Sequence, residues 1–334
     1  MAILWDKTSQ GRAVKKVFVK PNLTLFDLSS NEPLFSPKEV LEGLLESEKR
    51  LSSKFFYDQV GSDLFQKITE LPEYYLTNSE IEILHNNLEE ISDLVGENAA
   101  VIEFGSGPPL KSRMLMKAIK PSLYLPLDIS KSYLLEASKR LAREFSWLQI
   151  RAICVDYTRA FQLPFDPEKK RVGCFLGSSL GNFNKSKALD FLIRTKKFLG
   201  HGGELLLGVD MKKSAEILDL AYNDSEGITA RFNLNILDHI NQLCAARFDP
   251  ANFVHLAGYD ENLGCVQMHL VSEVDQKISV LDTEISFSKG EKIHTEDSYK
   301  YSCKEIEGLA LQAGFSKSVS WFDNKKYFGL FYFS

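Results

Sequence analysis

Three apolar runs of strand length each end at an acid. "VIEFGSG" carries Glu103 two residues before Gly105 and Gly107, "LYLPLDIS" ends at Asp128, and "IRAICVDY" ends at Asp156 with Tyr157 beside it. Glycines directly after a strand take backbone angles closed to other residues and let a ligand approach the chain. An acid about 20 residues past them can accept hydrogen bonds from both hydroxyls of a ribose. Asp156 can accept from an exocyclic amine, with the Tyr157 ring against the base. Each acid alone is also an ordinary strand-end cap; three in register describe a nucleoside site. A dinucleotide fingerprint needs a third small residue so that helix and pyrophosphate come close. Leu110 stands there, after Pro108 and Pro109. Glu103 suits a positively charged ligand better. S-adenosylmethionine is such a ligand, with a ribose, an adenine and an amino-acid end but no phosphate, and it is the expected cofactor.

These residues need a sheet to hold them. From Ala99 to Asp210, strand-length apolar runs alternate with helical patterns, from "AAVIEF" through "LYLPLD", "IRAICVD" and "VGCFLG" to "GELLLGVD". Short apolar runs between helices predict a parallel sheet covered on both faces. The tail "SVSWFDNKKYFGLFYF", after a capped helix over Ser302 to Ala313, predicts an antiparallel edge hairpin. Before Ala99 the pattern is helical, without strands. Ser36, Pro37 and Glu39 suggest one capped start, "GSDLFQKITEL" a second helix, and Thr77 with Glu80 a third. After Asp210 the alternation stops. Helical segments precede the alternating stretches "LGCVQMHLVSEVD" and "KISVLDTEISF", which suit antiparallel strands with one wet face. The expected division is 79–211 with 300–334 for the cofactor, and 20–78 with 212–299 for a substrate.

A formal charge of −5 over 334 residues leaves no electrostatic footprint for nucleic acid. No run approaches the ~20 apolar residues that span a bilayer, and no secretory leader is apparent, so no membrane partner is expected and the location expected is cytoplasmic. Five scattered cysteines without a C-x-x-C pair, and six dispersed histidines, argue against a disulfide framework or a zinc site. No metal is expected.

Over most of its length, from about Phe55, the chain resembles the histidine-specific, S-adenosylmethionine-dependent Nα-methyltransferases of ergothioneine biosynthesis. The carriers are "FYDQVGSDLFQKITELPEYYLTNSE", "EFGSG", "LGSSLGNF", "AYND" and "TEDSYKY". The resemblance implies an α/β, Rossmann-like class I methyltransferase fold plus a second, α+β substrate-binding domain. It implies a clamp on the α-amino and carboxylate groups of L-histidine at Tyr74, Asn182 and Tyr222, with Gly177 nearby and Tyr57 close to the amine. It also implies that Glu296 and Ser298 hydrogen-bond the imidazole, with Met268 lining the pocket. A bare reading of "TEDS" is a solvated loop. The amide of Asn182 offers both a donor and an acceptor, and tyrosine hydroxyls do so without placing a fixed charge beside a sulfonium. The family's small polar residues after "GSG" are replaced here by Pro108, Pro109 and Leu110, whereas Lys111 is retained.

The activity implied is three successive methyl transfers to the α-nitrogen of histidine, giving the trimethylated betaine hercynine. Tyr57 and Asn182 are the expected catalytic residues at the reacting nitrogen, with Tyr57 through a water, or water alone, as proton acceptor, and no strong general base is evident. The expected oligomeric state is a monomer. Alternatives are an Nα-methyltransferase for tryptophan or tyrosine, a non-catalytic sensor of cofactor or amino acid, and an NAD-dependent enzyme. The pair Glu296 and Ser298 counts against the first, the intact clamp against the second and Leu110 against the third.

Overall fold

A computed structural model describes residues 2–7, 13–28, 34–107, 109–163, 167 and 169–334. Its centre is a ten-stranded sheet. The parallel strands are β3 (Leu23–Asp27), β4 (Ala100–Phe104), β5 (Leu123–Asp128), β6 (Gln149–Cys154), β7 (Arg171–Phe175) and β8 (Glu204–Asp210). They lie in the order β3-β6-β5-β4-β7-β8. From β4 the chain winds outward to β5 and β6, then returns to lay β7 on the other flank. The strand order therefore reverses between β4 and β7, where open α/β sheets leave a crevice beyond the strand ends.

Both edges are antiparallel. The tail forms β14 (Ser318–Phe322) and β15 (Phe328–Phe333), with β15 against β8, as expected from its sequence. The other edge corrects the expectation of a strand-free opening. β1 (Ala2–Lys7) and β2 (Ala13–Lys20) pair antiparallel, and β2 turns tightly into β3. Buried Val17, Leu23, Leu25 and Phe26 give these short strands an apolar content that local basicity masks. Asn22, in the turn, donates to the carbonyls of Ala142, Phe145 and Leu148 and ties the edge to the sheet.

Helices α1 (Pro37–Leu44), α2 (Gln59–Ile68) and α3 (Tyr75–Val95) follow. Two expected caps are absent. Glu39 does not close a box at Ser36, because its carboxylate receives Lys54 and Arg159. Thr77 does not start a helix, because α3 already begins at Tyr75, and Glu80 turns into the protein. α4 (Leu110–Ile119), α5 (Lys131–Glu144), α6 (Lys185–Leu199) and α9 (Cys303–Gln312) cover the main sheet, the last with a full capping box from Ser302 and Glu305.

Between β8 and α9 lie α7 (Ala215–Tyr222), α8 (Ile228–Cys244) and a separate three-stranded sheet. That sheet places β10 (Cys265–Ser272) between β9 (Phe253–Asp260) and β13 (Lys292–Tyr299). "KISVLDTEISF" is not one strand but a hairpin, β11 (Gln276–Val280) and β12 (Thr283–Phe287). Leu281 and Asp282 both take positive φ (47° and 62°) at its turn, the conformation that joins twisted strands through two residues. "TEDS" is likewise not a loop. It forms the middle of β13, where alternate side chains reach the core while the others meet solvent. Among the described residues no helix is long and apolar enough to cross a membrane.

Candidate active site

A cleft of about 1390 Å³ opens beyond the strand ends at the β4–β7 reversal. Glu103, Gly105, Gly107, Lys111, Asp128, Asp156 and Tyr157 all line it. Gly105 has φ 73°, and a Cβ there would lie 2.9 Å from the Tyr157 hydroxyl. A side chain at this position would be strained and would push the ring away. Asp128 accepts from the backbone N–H groups of Ser106 (3.1 Å) and Ser130 (2.8 Å). Burial raises its pKa to about 6 in spite of these donors. Asp156 receives the amide and hydroxyl of Thr158 on Oδ1 (3.0 and 2.5 Å). Its buried Oδ2 has no hydrogen bond, although Arg159 Nε lies 3.3 Å away and Lys54 Nζ 3.7 Å away.

Two residues expected to face the cofactor are engaged within the protein. The Glu103 carboxylate is buried and receives the hydroxyls of Tyr124 and Ser112. Burial pushes it up to about 7 against the pull of those donors. Lys111 Nζ lies 2.5 Å from Glu80, whose carboxylate also accepts the Gly177 N–H at 3.0 Å. Pro109 and Leu110 border the cleft at the start of α4; Pro108 lies outside the described residues.

Deeper in, the cleft adjoins a smaller chamber. Tyr57, Tyr74, Gly177, Asn182, Tyr222, Met268, Glu296 and Ser298 line it, and Tyr57, Tyr74, Gly177 and Asn182 also border the cleft. They come from segments far apart in sequence: Tyr57 after a short 3-10 turn, Tyr74 at the N-cap of α3, Tyr222 at the end of α7, and the rest from β10, β13 and the turn after β7. That turn is the 3-10 helix Ser179–Asn182. A Cβ on Gly181 would meet the Tyr299 carbonyl at 2.8 Å, so glycine lets the turn pack directly on β13. This contact seats Asn182 beside Glu296, with its amide donating to Oε1 at 3.1 Å. Met268 and Glu296 are register partners across β10 and β13. The hydroxyls of Tyr222 and Ser298 lie 2.7 Å apart.

Desolvation dominates the chemistry of this chamber. Burial pushes Glu296 up to about 7, with Lys300 acting in the opposite sense. Burial, reinforced by Glu296 and Tyr222, holds Tyr57 and Tyr74 well above the ordinary phenol range. Both remain neutral hydroxyls, able to hydrogen-bond a ligand but not to take up its proton. Phe65 and Phe232, ring centroids 5.9 Å apart, complete an apolar wall.

Sequence reasoning missed Glu80, Lys300, Phe65 and Phe232. The first two carried a signal. Glu80 shares the helical face of Leu76, Ile83 and Leu84, a buried stripe that leaves an acid in need of a partner. Lys300 follows Ser298 by two residues, one past the end of β13, and extended backbone there places both on one face. The aromatic pair has no comparable signal, since its members meet only when α2 packs on α8.

A nucleoside with a charged amino-acid tail fits the cleft. Oδ2 of Asp156 is a buried acceptor without a hydrogen bond, Asp128 borders open space, and the glycine cradle at Gly105 and Gly177 would be filled by any Cβ. Asp128 would hold ribose hydroxyls and Asp156 an adenine amino group; the sulfonium, when bound, supplies an electrophilic methyl group.

Comparison with known proteins identifies the family. The chain is 34% identical over 300 residues to a histidine N-alpha-methyltransferase of Mycolicibacterium smegmatis, covering 88% of this chain and 92% of that protein. It is 35% identical over 300 residues to the protein of the same name from Mycobacterium tuberculosis, with the same coverage. An ergothioneine biosynthesis protein 1 of Neurospora crassa is 30% identical over 326 residues, which span 94% of this chain but 35% of that longer protein. A family model described as histidine-specific, SAM-dependent methyltransferase matches residues 36–334, and the chain belongs to that family.

Proposed function

We propose that the protein transfers methyl groups from S-adenosylmethionine to the α-nitrogen of L-histidine, three in succession, to give the trimethylated betaine used in ergothioneine biosynthesis. The observation that carries this reading is the chamber next to the cofactor cleft. Its inner end offers Glu296, Ser298 and Tyr222, and the side it shares with the cleft offers Tyr57, Tyr74 and Asn182. An imidazole brings two nitrogens that need partners, and an amino acid brings an amine and a carboxylate. The polar groups match that inventory, and Met268, Phe65 and Phe232 supply the apolar wall.

In this reading Tyr74, Asn182 and Tyr222 hold the backbone groups of the substrate and aim the amine at the methyl group. Holding the two reactants in line supplies most of the acceleration a methyl transfer needs. Tyr57 accepts a hydrogen bond from the amine but, as a neutral phenol that already carries its proton, takes up no second one; the ammonium proton leaves with water. The neutral hydroxyls and amide around the amine let it re-enter the same geometry with one and then two methyl groups attached. Residues 79–211 and 300–334 serve the cofactor, and 20–78 and 212–299 the amino acid. The division is not strict, since β3 belongs to the main sheet and Asn182 and Lys300 reach into the amino-acid side. The protein acts as a cytoplasmic monomer.

The test is to incubate purified protein with S-adenosylmethionine and each of L-histidine, L-tryptophan and L-tyrosine and follow products by mass spectrometry. The expected result is mono-, di- and trimethylated histidine and no product from the others. Methylation of tryptophan in preference to histidine would overturn the substrate, and binding of both ligands without turnover would overturn the activity.

A further inference from the structure

Lys300 is a charged residue with no access to water, its side chain 0% exposed. Its Nζ meets Asp210 Oδ2 at 2.7 Å, the Ser298 hydroxyl at 2.8 Å and the Tyr222 hydroxyl at 3.0 Å. An ammonium has three N–H bonds and no acceptor, so these partners use all of them. Burial disfavours the charge, but Asp210 and Tyr222 outweigh it and hold the pKa above the ordinary lysine value. The two hydroxyls that Lys300 donates to are also 2.7 Å from each other. Nζ, Oη and Oγ thus form a closed triangle at the wall of the chamber.

Counting hydrogens on this triangle restricts what it can offer a ligand. Lys300 supplies the hydrogen on two of its edges. The third edge, between Tyr222 and Ser298, uses one of the two hydroxyl hydrogens, and a single hydrogen remains to point into the chamber. If Tyr222 donates to Ser298, Ser298 faces the ligand as a donor and Tyr222 as an acceptor. If Ser298 donates to Tyr222, the roles reverse. A carboxylate is the stronger acceptor, because hydrogen bonds to an ionised group exceed those to a neutral one. It takes the hydrogen of Tyr222, and Ser298 is left with only a lone pair.

Resting on the placement of histidine given above, we propose that Lys300 is a positioning residue that couples the two ends of the substrate. By donating to both hydroxyls it commits Tyr222 to the carboxylate and makes Ser298 an acceptor, so the imidazole binds with an N–H directed at Ser298. Lys300 touches neither the reacting nitrogen nor the cofactor in this arrangement. It acts through two hydroxyls and by placing a positive charge behind them. Asp210 also receives Lys213 at 2.5 Å and Tyr75 at 2.8 Å, so it does not depend on Lys300 alone. The Lys300 ammonium behind the Tyr222 hydroxyl favours an anionic substrate group there.

Lys300→Met tests the coupling, because Asp210 keeps Lys213 and no buried acid is left uncompensated. The expected result is a rise in KM for histidine of roughly 10- to 100-fold, the loss of one or two charge-supported hydrogen bonds, with kcat and cofactor affinity changed far less. In a Tyr222→Phe, Ser298→Ala background the same substitution should change KM less than about twofold, since Lys300 acts through those hydroxyls. An equal loss in both backgrounds would overturn the proposal. A second measurement needs no lysine variant. Ring-15N histidine bound with S-adenosylhomocysteine is observed by NMR in the native protein and in Ser298→Ala. The nitrogen whose shift moves on substitution faces Ser298, and it should be an N–H nitrogen in the native complex. A bare nitrogen there would overturn the proposal while leaving the placement of histidine intact. If neither ring nitrogen moves and the KM of Ser298→Ala is unchanged, the placement itself fails and the proposal with it.

Discussion

The two ends of the cleft are built differently. At the cofactor end, Asp128 is held by backbone N–H groups, and Gly105 and Gly177 contribute by having no side chain. The residues run from Glu103 to Gly177 along consecutive strand ends of one sheet. At the amino-acid end, Asn182, Glu296, Tyr222, Ser298 and Lys300 hold one another through side chains from separate elements. Backbone groups stay in place when a side chain is exchanged, so the first end should respond to substitution locally. The second is a network in which each member sets the hydrogen bonds of the next, and its substitutions should couple.

The largest expected effect probes the network. Asn182→Asp removes the amide that donates to Glu296 and sets a second carboxylate beside it, facing the substrate carboxylate. We expect kcat/KM for histidine to fall at least about 100-fold, as for a buried group that loses its partner and gains a like charge. Cofactor affinity, measured by calorimetry, should hardly change. An equal collapse of cofactor binding would mean that the two ends are not separable.

Asp128→Ala is the counterpart at the backbone-built end. Loss of a charged acceptor for ribose hydroxyls should weaken S-adenosylmethionine by about 1.5–3 kcal/mol, or roughly 10- to 100-fold. The backbone around Ser106 and Ser130 should remain as it is, so KM for histidine at saturating cofactor should stay close to native. Unchanged cofactor affinity would place the ribose elsewhere.

Glu296→Ala addresses selectivity within the chamber. Leaving an imidazole nitrogen without a partner costs about 1–3 kcal/mol, so KM for histidine should rise while cofactor binding persists. Met268 is the register partner of Glu296. Adding Met268→Val enlarges and depolarises the same spot, and the ratio of kcat/KM for tryptophan over histidine should rise. A ratio that stays constant would remove both residues from the specificity wall.

The smallest effect is a pH dependence of the empty protein. Burial, opposed by Lys300, raises Glu296 from the ordinary 4.5 to about 7. Between those values the folded state keeps a proton that the unfolded chain has released. The associated stability is therefore present below about pH 4.5 and lost as pH rises through about 7. Glu296→Gln removes this term. Its stability in denaturant should gain on the native protein by about 1–2 kcal/mol from pH 5 to 8, a value reduced because Glu296 partly faces open space. A constant difference would show that the carboxyl titrates normally.

Much of this molecule was legible in the chain itself. Apolar runs ending in Glu103, Asp128 and Asp156, separated by helical periods, specify a parallel sheet with a ligand site at its strand ends, because both signals are local. The tail hairpin and the capping box of α9 are local in the same sense. The opening strands escaped notice because their alternation is short and charged, and it acquires meaning only when β3 finds β6. Glu39 and Glu80 spell capping boxes, but partners distant in sequence claim both: Lys54 and Arg159 take the first, Lys111 and the Gly177 amide the second. "TEDS" has the composition of a loop, and β10 makes it a strand by pairing with it. The amino-acid chamber lay furthest from local inference. Resemblance supplied its residue types, yet the contact of Gly181 with β13 and the closure of Lys300 on Tyr222 and Ser298 belong to tertiary structure. Sequence by itself determined which groups would line the strand ends, since periodicity and glycine geometry act within a few residues. Folding alone decided which hydroxyl donates to which, because a hydrogen bond depends on where distant chains meet.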